Sequence, residues 1–187
     1  MTSVPDDPLS FIGHVAVHVA NEQSLLPLTA RLIEILPRPA FLALHGDLGA
    51  GKTTFVKAVA GAAGIDPAEV VSPTFGLVHE HAGPGAAILH ADMYRLQSAD
   101  DLLEIGWHDA VARATWVFVE WPERIAAALP ADRLDVTLTI DSPTARTIVF
   151  TSRGPRHDAV IDALLSAKEP RNFLSGDTPQ STSFRTA

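Results

Sequence analysis

The chain has 187 residues, of which 47% are hydrophobic and 19% are charged, so one folded domain is expected and a wholly disordered protein is excluded. Fourteen Lys and Arg residues against 22 Asp and Glu residues give a formal net charge of −8. This balance argues against autonomous DNA or RNA binding, because phosphate neutralisation by basic side chains supplies most of that affinity. Cysteine is absent, which excludes disulfides, thiol nucleophiles and thiolate metal sites.

The composition of the two chain ends and the length of the apolar runs predict where in the cell the protein is found and where its domain begins and ends. No apolar run approaches the roughly 18–20 residues of a membrane-spanning helix. The first ten residues are acidic and contain proline, unlike the basic and then apolar pattern of a secretory signal. We therefore expect a cytoplasmic protein with a flexible leader at 1–10, one domain at 11–167 and a disordered, Pro- and Ser-rich tail at 168–187.

Strands and helices alternate along the first part of the chain. His14–Val19 predicts a short strand, and Asn21 is placed as the N-cap of the helix that follows. Phe41–His45 is apolar throughout, which is typical of a strand buried on both faces of a parallel sheet. A helix over Lys52–Ala63 comes next, after a glycine-rich turn.

The second half repeats this alternation and then changes to a hairpin. Ala87–Asp92 and Thr115–Glu120 predict two buried strands, with a helix over Ser98–Ala112 between them. The remaining predicted elements are a short helix from Pro122 to Leu129, two strands at Leu134–Asp141 and Arg146–Ser152, and a last helix at Pro155–Ala167. Together they predict an α/β domain, a mainly parallel sheet flanked by helices with a C-terminal β-hairpin.

The glycine-rich turn carries the strongest chemical signal. Gly46–Thr53 matches G-x-x-x-x-G-K-[ST] without a mismatch, between a predicted strand and a predicted helix. Its glycines allow the backbone N–H groups to turn inward onto phosphates. Lys52 is placed to reach the β- and γ-phosphates, and the Thr53 hydroxyl is placed to ligate Mg²⁺. The motif therefore predicts a P-loop NTPase-like domain.

Two acidic residues end predicted strands beside this loop. Asp92 and Glu120 both follow apolar strands, so their carboxylates are expected at the edge of the sheet where a nucleotide would bind. Either one can bind Mg²⁺ or orient the attacking water, and the spacing does not decide which. The turn at Ser72–Phe75 can contact a γ-phosphate, although the segment by itself favours a simple connector.

Five segments together resemble one protein family. GDLGAGKTTF, VVSPTFGLVHEH, HADMYRL, LLEIGWHDA and VFVEWPERI occur in the order and spacing of the bacterial TsaE (YjeE) family, from about Val15 to Phe150. The resemblance implies a small P-loop ATPase required for the threonylcarbamoyl modification of adenosine (t6A) beside the anticodon of tRNAs that read ANN codons. It further implies partnership with TsaB and TsaD, tRNA contact mainly through those partners, and neither DNA nor membrane binding.

The resemblance also implies roles for individual residues. It places the ATP phosphates on Gly49, Ala50, Gly51, Lys52, Thr53 and Thr54. Mg²⁺ would bind Thr53 and Glu120, while Asp92 would act in hydrolysis and Thr74 would act as a switch, so that the expected catalytic set is Lys52, Thr74, Asp92 and Glu120. Glu22 would lie near the base or ribose, and Arg146 would contact the nucleotide.

Three other functions are compatible with a P-loop. A small-molecule kinase needs an arginine-rich lid, whereas Arg113, Arg124 and Arg133 are scattered. A signalling GTPase needs an N-K-x-D-type segment, which is absent from the sequence. A nucleotide-gated binding module, in which ATP orders the Ser72–Phe75 turn and hydrolysis is incidental, remains open.

Overall fold

The computed structural model describes residues 13–73, 76–96 and 101–168. A seven-stranded sheet forms its centre, with the strand order β1-β7-β6-β2-β5-β4-β3. The strands are β1 (His14–Val19), β2 (Ala40–His45), β3 (Val78–Ala82), β4 (Ala87–Asp92), β5 (Trp116–Glu120), β6 (Leu134–Ile140) and β7 (Arg146–Ser152). The helices are α1 (Leu25–Ile35), α2 (Lys52–Ala62), α3 (Asp101–Glu104), α4 (Trp107–Arg113) and α5 (Pro155–Lys168), with 3₁₀ turns at Glu22–Ser24, Pro67–Glu69 and Pro122–Ala128.

The parallel part of the sheet is its centre. β2 pairs in parallel with β5 and β6, and β5 pairs in parallel with β4. The outer pairs, β1 with β7, β7 with β6 and β3 with β4, are antiparallel. The predicted α/β sheet with flanking helices and a C-terminal hairpin is confirmed, and its parallel region is confined to four strands. Since β2, β4 and β5 run the same way, their carboxyl ends meet at one edge.

Side chains on both faces of the sheet form the core. β2 and β5 are buried along almost their whole length, as expected for strands covered on both sides. One face packs beneath α1, α2 and α5, with Leu32, Phe55 and Phe150 fully buried there. The other face holds a second cluster around Leu89 and Trp107 beneath α4 and the 3₁₀ turn after β5. Both layers hold the central strand ends in fixed positions.

The structure differs from the predicted helices in three places, one of which is the short helix predicted from Pro122 to Leu129, where a 3₁₀ turn forms over Pro122–Ala128 with a kink at Ile125. The helix predicted over Ser98–Ala112 is divided into α3 and α4, and residues 97–100 lie outside the described ranges. The division falls at Gly106, whose φ of 64° lies in the left-handed region that glycine tolerates best. At the first helix, Asn21 caps as predicted, because its side chain accepts a 3.0 Å hydrogen bond from the Ser24 N–H, but the first turn is 3₁₀.

The predicted domain boundaries stay predictions. α5 extends to Lys168, one residue past the predicted helix end. The leader at 1–10 and the rest of the tail, 169–187, lie outside the described residues. Within the described ranges, every helix is too short or too polar to cross a bilayer.

A buried carboxylate connects β6 to the loop after β7. Asp135 is 4% exposed and accepts hydrogen bonds from Arg133 Nε at 2.8 Å and Arg153 Nε at 2.7 Å. Burial by itself raises the pKa of Asp135, but the nearby His45, whose Nε2 lies 3.8 Å from the carboxylate, and hydrogen bonds from Arg153 and Arg133 outweigh it and lower the pKa from 3.8 to about 2. The ionised form therefore stabilises the folded state.

We predict that Asp135→Asn lowers the free energy of unfolding at pH 7 by about 2 kcal/mol, the equivalent of the pKa shift. Because the folded-state pKa is depressed, this stabilisation is complete above about pH 4 and is lost as the pH falls towards 2. Urea unfolding at several pH values between 7 and 2.5 measures it. The variant should lose less stability than the wild type across the acid range, and equal losses would contradict the prediction. Asp162→Asn, on the exposed side of α5, controls for loss of one charge.

Candidate functional site

The predicted phosphate loop connects β2 to α2 at the carboxyl edge of the sheet. Its three glycines, Gly46, Gly49 and Gly51, have φ values of 137°, 80° and 100°, a backbone region unfavourable to other residues. A Cβ atom on Gly46 would also lie 2.5 Å from the Leu138 carbonyl oxygen, so packing against β6 requires glycine there as well. α2 begins at Lys52, which puts the helix's unpaired N–H groups and its positive dipole end at the loop.

Lys52 is folded back over the loop. Its side chain is buried, and Nζ donates to the carbonyl oxygens of Gly46 at 2.7 Å and Asp47 at 3.0 Å. The same ammonium lies 4.1 Å from the centroid of the Trp121 ring, within cation–π range. Desolvation lowers the pKa of Lys52, and nearby carboxylates, Glu120 first among them, oppose that shift. A poorly solvated cation of this kind is well suited to meet an anion.

Trp121, whose ring lies over the Lys52 ammonium, has an unusual backbone conformation. Its φ of 57° is in the left-handed region, which is rare for a bulky residue and concentrates at functional sites. This residue turns the chain from β5 into the 3₁₀ turn that begins at Pro122. Its ring lies 5.0 Å from that of Tyr94, so two aromatic side chains border the loop.

The two predicted strand-end acids lie next to each other. Asp92 and Glu120 are partners in the β4–β5 register, and both are buried. Thr53 Oγ1 donates a 2.7 Å hydrogen bond to Glu120 Oε1. The structure therefore places the hydroxyl predicted from the loop motif in contact with a carboxylate predicted from a strand end.

Asp92 joins the end of β4 to the turn at Ser72. Its Oδ2 accepts a 2.7 Å hydrogen bond from Ser72 Oγ, and its Oδ1 accepts one of 3.1 Å from the Tyr94 N–H. Thr74 and Phe75 lie outside the described residues, so the role expected of Thr74 stays a prediction. Ser72 nevertheless lines the same cleft as Asp92 and Lys52.

The loop separates two cavities. One, of about 400 Å³, is lined by Lys52, Thr53, Asp92, Glu120 and Trp121 among others. The other, of about 390 Å³, lies on the opposite side of the loop between the Glu22 turn and the β6–β7 hairpin. Gly49, Gly51 and Thr54 line both cavities, whereas Glu22, Ala50 and Arg146 line only the second. The predicted site residues in the described ranges are thus all at the loop, in two groups.

Arg146 braces the loop from the hairpin side. Nε donates to the Ala50 carbonyl oxygen at 3.0 Å, and Nη2 donates to that of Gly49 at 3.3 Å. Nη1 donates to the carbonyl oxygens of Ser142 and Ala145, each at 2.8 Å. All three guanidinium nitrogens therefore bind backbone oxygens, which connects the loop to the turn of the hairpin. Sequence reasoning assigned Arg146 to the nucleotide and did not predict this brace.

Sequence reasoning assigned no role to His90, which touches the site. This residue is 0% exposed on β4, and its Nε2 lies 2.9 Å from Glu120 Oε1. A signal existed in the sequence: His90 is two residues before Asp92, so strand alternation places both on the same face of the sheet. Only the pairing of β4 with β5 shows that Glu120 is within reach.

The residues at the loop fit a divalent cation that takes only a minority of its ligands from the protein and the others from water and substrate phosphates. In the described ranges, no group of three or more His, Asp or Glu side chains forms a metal cage. The Thr53 hydroxyl and the Glu120 carboxylate are two hard oxygen donors in contact. Mg²⁺ is commonly held by one or two such protein groups together with water and substrate phosphates. Thr53 and Glu120 fit that pattern.

Known proteins resemble this chain in sequence and in fold. The family model for the threonylcarbamoyl adenosine biosynthesis protein TsaE matches residues 19–148. The TsaE protein of Bacillus subtilis is 34% identical over 136 residues, which cover 72% of this chain and 84% of that protein. The Nostoc TsaE protein is 34% identical over 148 residues, covering 78% and 90% respectively. The crystal structure of Bacillus subtilis YdiB superposes with a TM-score of 0.64 at 25% identity, covering 85% of this chain and 99% of that one. The chain belongs to the TsaE family and has its P-loop nucleotide-binding fold.

Proposed function

We propose that this protein is a Mg²⁺-dependent ATPase that assists formation of t6A in tRNA, together with TsaB and TsaD, in the cytoplasm. The observation that carries the ATPase proposal is the 2.7 Å hydrogen bond from Thr53 to Glu120 beside the buried Lys52. It joins the loop hydroxyl to a strand-end acid, a combination that P-loop NTPases use to hold Mg²⁺ against phosphates. The role in t6A formation is supported by membership of the TsaE family.

The two cavities suggest how ATP would lie. The phosphates would follow the loop N–H groups and reach Lys52, which would exchange the Gly46 and Asp47 carbonyls for phosphate oxygens. The ribose and base would occupy the cavity beside Glu22 and Arg146. Thr54 lines both cavities, as expected for a residue beside the phosphates at their junction.

The proposed chemistry is attack of water on the γ-phosphate. Mg²⁺, when bound, would neutralise phosphate charge, with Thr53 and Glu120 as the protein groups that hold it. Lys52 would stabilise charge on the equatorial oxygens. Asp92 would orient the water, because its carboxylate is fixed by Ser72 and the Tyr94 N–H at the cleft wall.

A nucleotide-gated module is the second candidate, and one contact favours it. Ser72 Oγ donates to Asp92, so a change at Asp92 on ATP binding would act directly on Ser72, two positions before Thr74 in the sequence. In that case, the nucleotide would act by ordering a binding surface, and hydrolysis would reset it.

With its net charge of −8, the protein would meet tRNA mainly through TsaB and TsaD.

Lys52→Ala is expected to lower ATP turnover at least about 100-fold, because it removes the cation that faces the γ-phosphate. The measurement is phosphate release by the protein alone and with TsaB and TsaD added, and we expect a slow rate that rises on assembly. Lys57→Ala, further along α2, is the matched control and should behave like the wild type. Turnover that survives Lys52→Ala in the complex would contradict the ATPase proposal, and a rate indifferent to the partners would contradict the link to t6A.

Asp92→Ala separates hydrolysis from gating. We expect affinity for Mg–ATP to stay within about threefold, because Asp92 is not among the proposed phosphate or metal ligands, while hydrolysis falls about 100-fold. The t6A formed per TsaE molecule is then counted with the other factors in excess. One round supports gating with reset by hydrolysis, whereas full multiple turnover would show that hydrolysis is dispensable.

Arg146→Ala is expected to weaken ATP binding about tenfold, because the loop carbonyls of Gly49 and Ala50 lose their hydrogen bonds to the guanidinium. Each such charge-assisted bond is worth about 1.5–3 kcal/mol, and relaxation of the loop recovers part of that loss. Arg146→Lys should recover only part of the affinity, because one ammonium cannot replace a planar fork. Titration with a fluorescent ATP analogue measures both. Arg31→Ala, on the exposed face of α1, is the control, and wild-type affinity in Arg146→Ala would refute the brace.

A further inference from the structure

Two donors converge on one oxygen of Glu120. Thr53 Oγ1 lies 2.7 Å from Oε1, and His90 Nε2 lies 2.9 Å from the same atom. Thr53 belongs to α2, His90 to β4 and Glu120 to β5, so three separate elements meet at this carboxylate. His90 is 0% exposed and has no surface with which to touch a ligand.

The surroundings of the imidazole determine which nitrogen carries its proton. His90 Nδ1 is buried and has no hydrogen-bond partner among the described residues. A proton on Nδ1 would leave a buried N–H unsatisfied and would bring two lone pairs together at 2.9 Å between Nε2 and Oε1. The proton therefore belongs on Nε2, and His90 donates to Glu120.

We propose that His90 is a positioning residue that holds the Glu120 carboxylate in the orientation required to bind Mg²⁺. This inference rests on the proposed function, because it concerns the metal that Thr53 and Glu120 would hold. A side chain that hydrogen-bonds to a metal-binding residue commonly fixes the orientation of that residue, and its loss typically lowers metal affinity 10–100-fold.

Glu120 needs such a support because of its place in the chain. It is the last residue of β5, and the next residue, Trp121, turns sharply away with its φ of 57°. Glu120 is 4% exposed, so water does little to solvate its carboxylate. If the side chain rotated away from its donors, the buried charge would lose its hydrogen bonds. Because Oε1 takes both donors, the described residues leave Oε2 for the metal or for a water bound to it.

The test compares Mg²⁺ affinity with nucleotide affinity. Binding of a non-hydrolysable fluorescent ATP analogue is measured in EDTA and then across a range of Mg²⁺ concentrations, for the wild type and for His90→Phe, which keeps a planar ring without a donor. We expect the Mg²⁺ concentration at half-effect to rise 10–100-fold in His90→Phe, while affinity in EDTA stays within twofold. His90→Gln, which keeps an N–H, should stay within about threefold of the wild type in both.

A control on the opposite side of the molecule tests for a general effect of losing a buried histidine. His157 is 2% exposed and contacts Asp132 at 2.7 Å, away from the loop. His157→Phe should leave both titrations at wild-type values. If His90→Phe does not fold by circular dichroism, His90→Asn, which is too short to reach Glu120, is measured against the same expectations.

The outcomes separate this inference from the function on which it rests. Wild-type Mg²⁺ response in His90→Phe would overturn the positioning role, as would an equal loss of affinity in EDTA and in Mg²⁺, since that indicates a purely structural role. A wild-type protein that binds no ATP analogue, or binds it without any response to Mg²⁺, would overturn the proposed function and this inference with it.

Discussion

The hydrogen bond between Thr53 and Glu120 is the contact around which the site is arranged. It joins two residues that are 67 positions apart, and it exists because β2 and β5 pair in parallel with Leu44 beside Glu120. The loop after β2 is thereby brought over the end of β5. Lys52 precedes Thr53, and His90 reaches the same carboxylate oxygen. A change in that pairing would separate the proposed metal ligands.

The loop itself is held from both sides by contacts to its carbonyl oxygens. Lys52 donates to those of Gly46 and Asp47, and Arg146 donates to those of Gly49 and Ala50. A peptide whose carbonyl is bound on one side presents its N–H to the other, which is the orientation that a phosphate requires. The antiparallel β6–β7 hairpin thus has two roles at the site: it supports the loop, and it lines the cavity proposed for the base.

The proposed hydrolysis and the proposed gating both involve Asp92. The residue proposed to orient water also accepts a hydrogen bond from Ser72, which precedes Thr74 by two positions in the sequence. A ligand that competes for this carboxylate would alter that hydrogen bond, whereas Glu120 is held by donors from two other elements. The two adjacent acids, equivalent by spacing, therefore differ in their surroundings: Asp92 is hydrogen-bonded to the exposed Ser72, whereas Glu120 is in contact with the buried His90.

Local patterns were sufficient to predict the loop, the buried strands and the acids at their ends, because a glycine-rich turn and an apolar strand depend on residues close in sequence. The helix predicted over Ser98–Ala112 was wrong in its continuity: Asp101–Glu104 and Trp107–Arg113 are helical, but Gly106, with its left-handed backbone, lies between them. The brace from Arg146 and the contact from His90 were decided only by the tertiary structure. Their partners are 96 and 30 residues away, and only the pairing of strands determines which distant side chains share a space.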